Sequence, residues 1–535
     1  MKPFARLVLA IAAVLALAGI ASAQMPRAEH RVGPYSGPQH RSAQRPSGPS
    51  QWSPLNNQLC TGNNPCFPAG VTMLLTDGTV LVHEEQDGGE VNWFKLTPDA
   101  FGSYVNGTWS TVAAIPPGLS YAPLFFGSQV IADGRLTVIG GEYNFDVAVW
   151  TTQGAIYDPV ANAWTNVPAP SGWVRTGDAQ ATNLANGTYM QASCCDQPPK
   201  WAYLNPTTLT WTNFQGNGKF DVFDEEGWNL LPNGKILTVD AYVFQYDPIG
   251  MNSELYDPGT QTWSSAGNTP VQLWDSCGGA SNATYEVGPA VLRPDGTVFA
   301  TGANTCGTGH TAIYNSSTGT WTAGPDFPVA NVSIADGPAS IEVNGKVLMM
   351  GSVNEALPAT FFEWDGTNLS VVPGPPNAVI DGSFYGHLLP LPTGQILFTD
   401  WSFPTVTGAT PDVEVFTPIG TYNPAWAPQI LAASTTVTRG ATSILYGHRL
   451  SGMSQGGAYG DDYQPSTNYA LVRLTNNATG HVFYCRTHNP SSYAVQNSSL
   501  EYTKFDVPAG AETGPSTLVA VTNGIPSQAI KVMVR

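Results

Sequence analysis

The sequence predicts an all-β chain: a seven-bladed β-propeller followed by a C-terminal Ig-like β-sandwich. Three observations predict it. A turn of nearly one form recurs seven times at intervals of 47 to 62 residues. A Tyr…Trp pattern follows most of these turns at a similar spacing. Only 11% of the 535 residues are charged, while Gly (56), Pro (44) and aromatics are abundant. That composition fits many short strands joined by turns better than long salt-bridged helices, and it is too apolar for a disordered chain.

In chain order, residues 1–23 read as a secretory signal. Lys2 and Arg6 precede the apolar run Leu7–Ile20, and Ala21-Ser22-Ala23 is a small-residue cleavage site. No later stretch reaches about 18 apolar residues, so no membrane span is expected. The destination is outside the cytoplasm, secreted or periplasmic. Residues 24–55 are rich in Pro, Ser, Gly and Arg and read as a flexible leader.

The propeller is assigned to 56–426. Its turns are Asp77-Gly78, Asp133-Gly134, Asn186-Gly187, Asn233-Gly234, Asp295-Gly296, Asn344-Gly345 and Thr393-Gly394. Apolar strands flank them, and Asx-Gly tolerates the positive φ of two-residue hairpin turns. A second hairpin follows in each repeat. It runs from Tyr157 to Trp164, Tyr203 to Trp211, Tyr256 to Trp263 and Tyr314 to Trp321, with weaker copies from Leu96 to Trp109, at Trp364, and from Phe416 to Trp426. A four-stranded unit of about 50 residues cannot bury both faces alone, and seven of them close into a ring. Past Ala427 the period stops. Residues 427–535 alternate in short Thr/Val/Ser-rich runs, as an Ig-like sandwich does.

The net charge of −18 argues against nucleic acid, which needs a basic face. A monomer is expected. Seven cysteines in an oxidising setting leave at least one unpaired. Cys60–Cys66 is able to close a short loop and Cys277–Cys306 a longer one. Cys194 and Cys195 are either a vicinal disulfide or two buried thiols.

Acidic residues recur about eight to ten positions before the turn glycine: Asp178, Glu225 and Glu226, Glu286 and Asp336, with Asp381 slightly earlier in its repeat. A common offset in consecutive blades brings them to one mouth of the channel, in the layer of Tyr385. Three readings stay open. The carboxylates bind calcium or another hard cation; or they bind sugar hydroxyls, with Glu226, Glu286 or Asp336 as acid/base residues of a glycoside hydrolase or lyase; or they accept backbone N–H bonds and cap strands. Trp274 and Trp401 are candidates to stack on sugar rings. No phosphate loop, nucleophile elbow or HExxH motif is present.

The signal, the seven Gly-turn/Tyr…Trp repeats and the Ig-like tail resemble the galactose oxidase/glyoxal oxidase group of kelch-repeat proteins over nearly all of 56–535. Val130-Ile131-Ala132-Asp133-Gly134-Arg135-Leu136-Thr137-Val138-Ile139-Gly140-Gly141 is similar to one of that family's blades, and Phe505 through Ser527 to its closing domain. The resemblance implies one copper held by two histidines and two tyrosines, one tyrosine being cross-linked to a cysteine. Carried onto this chain, it points to Tyr385 and His387 in Phe384-Tyr385-Gly386-His387, and to His488 in Thr487-His488, with Tyr121 or Tyr484 completing the set. Counted from the turn glycine, Tyr385 falls near the family's histidine and Phe384 near its tyrosine. The cross-linked cysteine falls near Ala69, with Cys66 three residues away, and the radical tyrosine at Phe125. The functional expectation is a secreted propeller that binds carbohydrate or another polar ligand at the channel mouth. Alternatives are a divergent copper oxidase of alcohols or aldehydes producing H₂O₂, and a glycoside hydrolase or lyase.

Overall fold

The computed structural model describes residues 51–86, 88–242, 252–277, 284–354, 356–376, 382–402 and 413–535. Seven antiparallel blades of four strands follow one another in the chain, six as separate four-stranded sheets and the sixth within a larger sheet that two further strands join. Their first strands are Ala69–Leu74, Gly127–Val130, Ala181–Asn183, Asn229–Leu230, Ala290–Leu292, Ala339–Ile341 and Gly386–Pro390. The first strand of the seventh blade packs against those of the first and sixth blades, which closes the ring.

Each of the seven turns joins the first and second strands of a blade. In all seven the glycine has positive φ, between 79° and 86°. The residue before it, Asp or Asn in six turns and Thr393 in the seventh, does not. The turn is therefore not the two-residue type expected from the sequence. In the first blade the Gly78 N–H bonds the Leu75 carbonyl at 3.0 Å, and the Asp77 carboxylate accepts the Thr79 N–H at 3.0 Å. This is the longer hairpin in which a type I turn precedes one left-handed glycine. The Tyr…Trp hairpins are the outer ones. Tyr157 lies opposite Trp164, Tyr256 opposite Trp263 and Tyr314 opposite Trp321.

The seventh blade departs from the expected boundaries. Its outer strand is Trp52–Pro54, paired antiparallel with Glu414–Phe416. Trp52 lies opposite Phe416 and fills the place expected of Trp426. Residues 52–54 thus belong to the propeller and not to the leader, and Gln51 and Leu55 bond the same sheet; residues 24–50 lie outside the described residues, as does the signal. The physical reason is closure: a last sheet completed by the first strand ties the two ends of the ring together and leaves no open edge. Trp52 donates its indole N–H to the Pro373 carbonyl at 2.7 Å and packs edge-on against Phe361 and Phe398.

The C-terminal domain encloses Val437, Leu445, Val472, Leu474, Cys485, Phe505, Leu518 and Val532. Strand Val482–His488 changes sheet along its length. Val482–Cys485 pair with Val472–Thr475, and Arg486–His488 with Lys504–Asp506. This is the corner that wraps a sandwich around its core.

Between strands of this domain, residues 452–470 enter the propeller. Gly457 and Ala458 pair with Ser340 and Ala339 on the first strand of the sixth blade. Gln455 accepts the Leu230 N–H at 2.7 Å and donates to Thr182 at 2.9 Å. The Tyr463 hydroxyl accepts the Thr72 N–H at 3.2 Å, and the Tyr469 hydroxyl bonds the Leu74 carbonyl. The insertion so contacts blades around much of the ring. Gly227 makes its approach possible: a Cβ there would lie 2.2 Å from the Gly460 carbonyl. Among the described residues, no helix is long and apolar enough to cross a membrane.

Candidate ligand site at the channel end

Because the turn glycines mark one end of each first strand, the residues before those strands lie at the other end. There the chain makes a repeated left-handed step. Gly177 (φ 68°), Glu225 (57°), Tyr285 (66°) and Asp336 (48°) precede the first strands of blades three to six. Three of these four are not glycine, and such a conformation costs of order 1–3 kcal/mol per residue. Held by the surrounding blades, the step brings the acids of successive blades together.

One oxygen from each of Glu225, Glu286, Asp336 and Asp461 lies within 4.8 Å of the others. The same holds for Asp178, Asp224 and Glu225. All six are buried, none more than 4% exposed. Glu142 and Asp462 lie beside them, buried as well. Burial comes first among the causes that raise four of these groups, Asp178, Asp224, Glu225 and Asp462. Glu225 stands well above the ordinary range through burial, Glu286, Asp461 and Asp178. Asp178 does so through burial, Asp224 and Glu142, and Asp462 through burial and Asp461. Burial pushes Asp224 up to about 6, against a hydrogen bond from Tyr242 that favours its charged form. Tyr242 stacks on Tyr285 at 4.3 Å, and Tyr285 on Trp274 at 5.8 Å, which makes an aromatic wall beside the acids.

Two disulfides support this end. Cys277–Cys306 fastens the segment whose Asp275 N–H bonds the Glu286 carbonyl at 2.9 Å. Cys194–Cys195 lies beside Asp224, with Cys195 Sγ 3.3 Å from its carboxylate. Cys60 and Cys66 are joined, and Cys485 is free and buried.

The structure separates several residues that the sequence groups. Glu226 faces away from its neighbour Glu225. It binds Lys219 Nζ at 2.8 Å, in a buried group that includes Asp221, Asp240 and Glu254. Burial alone would lower the Lys219 ammonium, yet these four carboxylates hold it well above its ordinary range. Glu226 is therefore part of an ion cluster and not of the channel site. Trp274 and Trp401 are buried, with their rings against Tyr285 and Tyr385, so neither offers an open face to a sugar. Asp381 lies outside the described residues.

The residues carried over from the copper family do not share a first shell. His387 is buried, stacks on Tyr459 at 5.2 Å and has Nε2 3.8 Å from Glu85. Burial lowers its imidazole to about 4. His83 approaches the other Glu85 oxygen at 3.7 Å. His488 instead donates from Nε2 to the Asp506 carboxylate at 3.2 Å, and its Nδ1 accepts the Asn489 side-chain N–H at 3.1 Å. Its neighbour Thr487 bonds Thr76, at the turn end of the first blade. Glu85 touches Gly70 near the start of that strand. The four strand steps from Gly70 to Leu74, at about 3.3 Å each, by themselves separate the two levels by roughly 13 Å, against metal bonds near 2 Å. Tyr385 is buried against Phe384 and Trp401, Tyr121 donates to the Gly140 carbonyl, and Tyr484 lies in another core. No metal-type grouping among the described residues includes a histidine. The donor set present at this end is carboxylate oxygen, which suits hard cations rather than copper.

Asp461 and Asp462 were not anticipated, because they come from the other domain. The local signal was the run Gly456-Gly457-Ala458-Tyr459-Gly460-Asp461-Asp462, a glycine-rich acidic stretch within an otherwise alternating domain. Asp224 directly precedes the singled-out pair Glu225-Glu226.

No protein-family model matches the chain. Over 131 residues it is 26% identical to the Kelch-like protein terF of Aspergillus terreus, a match that spans 24% of this chain and 26% of that protein. The chain thus covers about a quarter of that relative's length. A fungal alcohol oxidase of the AA5 family, solved in complex with copper, is similar at a TM-score of 0.49 and 14% identity, over 91% of this chain and 98% of that one. The repeat, the seven blades and their strand order agree with the expected architecture: a seven-bladed propeller followed by an Ig-like sandwich, from which residues 452–470 enter the propeller.

Proposed function

We propose that this is a secreted binding propeller that recognises a polar, hydroxyl-rich ligand of the carbohydrate class at the acidic end of its channel. The observation that carries the reading is the convergence of Glu225, Glu286, Asp336 and Asp461 from three blades and a second domain. Carboxylates gathered at a channel end are suited to accept hydrogen bonds from hydroxyls. The oxidase alternative finds less support, since His387 and His488 lie at different levels of the propeller. In the hydrolytic alternative Glu286 and Asp336 would act as a pair.

A saccharide panel on the folded mature chain tests this, read by glycan array and thermal shift, with peroxide detection on alcohols and glyoxal as a parallel arm. Saccharide binding weakened by Asp336→Asn is the expected result. No saccharide binding anywhere on the panel overturns the reading, and peroxide release would replace it with the oxidase.

A further inference from the structure

We propose that the four-carboxylate cluster is a binding site for one hard divalent cation of the calcium class, held by Glu225, Glu286, Asp336 and Asp461 and completed only by the C-terminal insertion. This deepens the polar-ligand reading and rests on the same site, because a calcium-class ion retains positions for ligand hydroxyls.

The geometry argues first. Calcium takes six to eight oxygens at about 2.3–2.6 Å, so oxygens on opposite sides of one ion lie about 4.6–5.2 Å apart. Four oxygens that are all within 4.8 Å of one another fit on such a shell. The donors are all oxygen, and all are buried. Four carboxylates leave room in that coordination number for two or more further oxygens, from water or from a diol.

A second observation separates this group from a merely acidic patch. Asp461 is 4% exposed; its side chain meets that of Asp462, yet its Oδ1 has no hydrogen-bond partner, and it makes no ion pair among the described residues. Burying an unpartnered carboxylate oxygen is costly unless a cation or donor meets it. Asp461 comes from another domain, so strand periodicity within the propeller does not account for its place. The insertion that carries it is anchored by Gly457 and Ala458 on the sixth blade, and its Tyr459 carbonyl accepts the Gly337 N–H at 3.1 Å beside Asp336. Nearby, the protein meets the same problem in another way, with Lys219 held among Asp221, Glu226, Asp240 and Glu254.

The test uses the full mature chain after EDTA treatment and dialysis. Calorimetry with CaCl₂ should give one ion per chain. TbCl₃ should luminesce on excitation of the tyrosine–tryptophan wall formed by Tyr242, Tyr285 and Trp274. Asp461→Asn and Glu286→Gln should each weaken binding at least about tenfold, while the surface variant Asp326→Asn should not change it. Absence of binding by Ca²⁺, Mg²⁺ and Tb³⁺ to the folded wild type overturns the proposal. So does unchanged affinity in both carboxamide variants. If Asp461→Asn does not fold, Glu286→Gln and the terbium signal decide. Calcium binding without any saccharide effect would remove the saccharide reading and keep this one. Saccharide binding that is indifferent to EDTA, with no ion bound, would do the reverse.

Discussion

Replacing Lys219 by Met should destabilise the protein severely, and more so at high pH. The ammonium is fully buried and meets Asp221, Glu226 at 2.8 Å, Glu254 at 2.8 Å and Asp240 at 3.4 Å, all of them buried. Methionine keeps the volume and removes the only cation of this group. Breaking a buried ion pair by deleting one partner costs about 3–5 kcal/mol, because the remaining charge is uncompensated. Four carboxylates place the loss at the upper end of that range. Glu226 and Asp240 already stand well above the ordinary range through burial, opposed by Lys219. Acids raised in the folded state add stability below their unfolded pKa and lose it as pH rises through the folded value. Without Lys219 those folded values rise further, so the deficit should grow between about pH 4 and pH 8. Guanidinium unfolding of wild type, Lys219→Met and Lys219→Met/Glu226→Gln across that range reads it. The double variant should recover part of the loss. A deficit below about 1 kcal/mol at pH 7, or one independent of pH, would refute the argument.

Trp52→Ala should cost about 3–5 kcal/mol by denaturant unfolding, as large-to-small core changes do, because this ring closes the seventh blade on Phe361, Phe398 and Phe416; a cost near zero would mean that the ring does not depend on its first strand. In EDTA, Asp224 with its folded value of about 6 against an ordinary 3.8 makes stability fall as pH rises from about 4 to 6. At about 1.4 kcal/mol per pH unit the change is about 3 kcal/mol, and Asp224→Asn should flatten that part of the melting-temperature curve. The paired change Cys277→Ser/Cys306→Ser opens a loop of sequence separation 29 and should cost about 3–4 kcal/mol by the chain-entropy relation. It should also weaken calcium binding, because the same segment fixes Glu286.

The repeat shows how local chemistry carried the architecture. A left-handed glycine follows a short polar residue wherever the first two strands of a blade reverse, so six Asp/Asn-Gly dipeptides and Thr393-Gly394 reported seven blades. The outer Tyr…Trp hairpins were legible for the same reason: opposite residues on neighbouring strands are a short-range matter. Even the approximate height of Asp178, Glu225, Glu286 and Asp336 along the channel followed from their common offset. The turn class was missed, because the Asx-Gly pair serves both the two-residue turn and the turn with one left-handed residue, and only the backbone distinguishes them.

What local pattern could not report was everything that depends on distant parts of the chain meeting. Trp52 completes a sheet whose other strands lie more than 330 residues later. Asp461 joins three propeller acids from a different domain. Glu225 and Glu226 are neighbours in the chain, yet a left-handed step at Glu225 sends one to the channel cluster and the other to Lys219. His387 and His488 are separated by the height of a blade, a distance that no motif encodes. The sequence by itself determined the repeat unit, its number and the end of the channel that is acidic, because each rests on backbone geometry within a few residues. The tertiary structure alone decided ring closure, the insertion and the set of carboxylates that converge, because burial and mutual repulsion exist only once the blades and the second domain are packed.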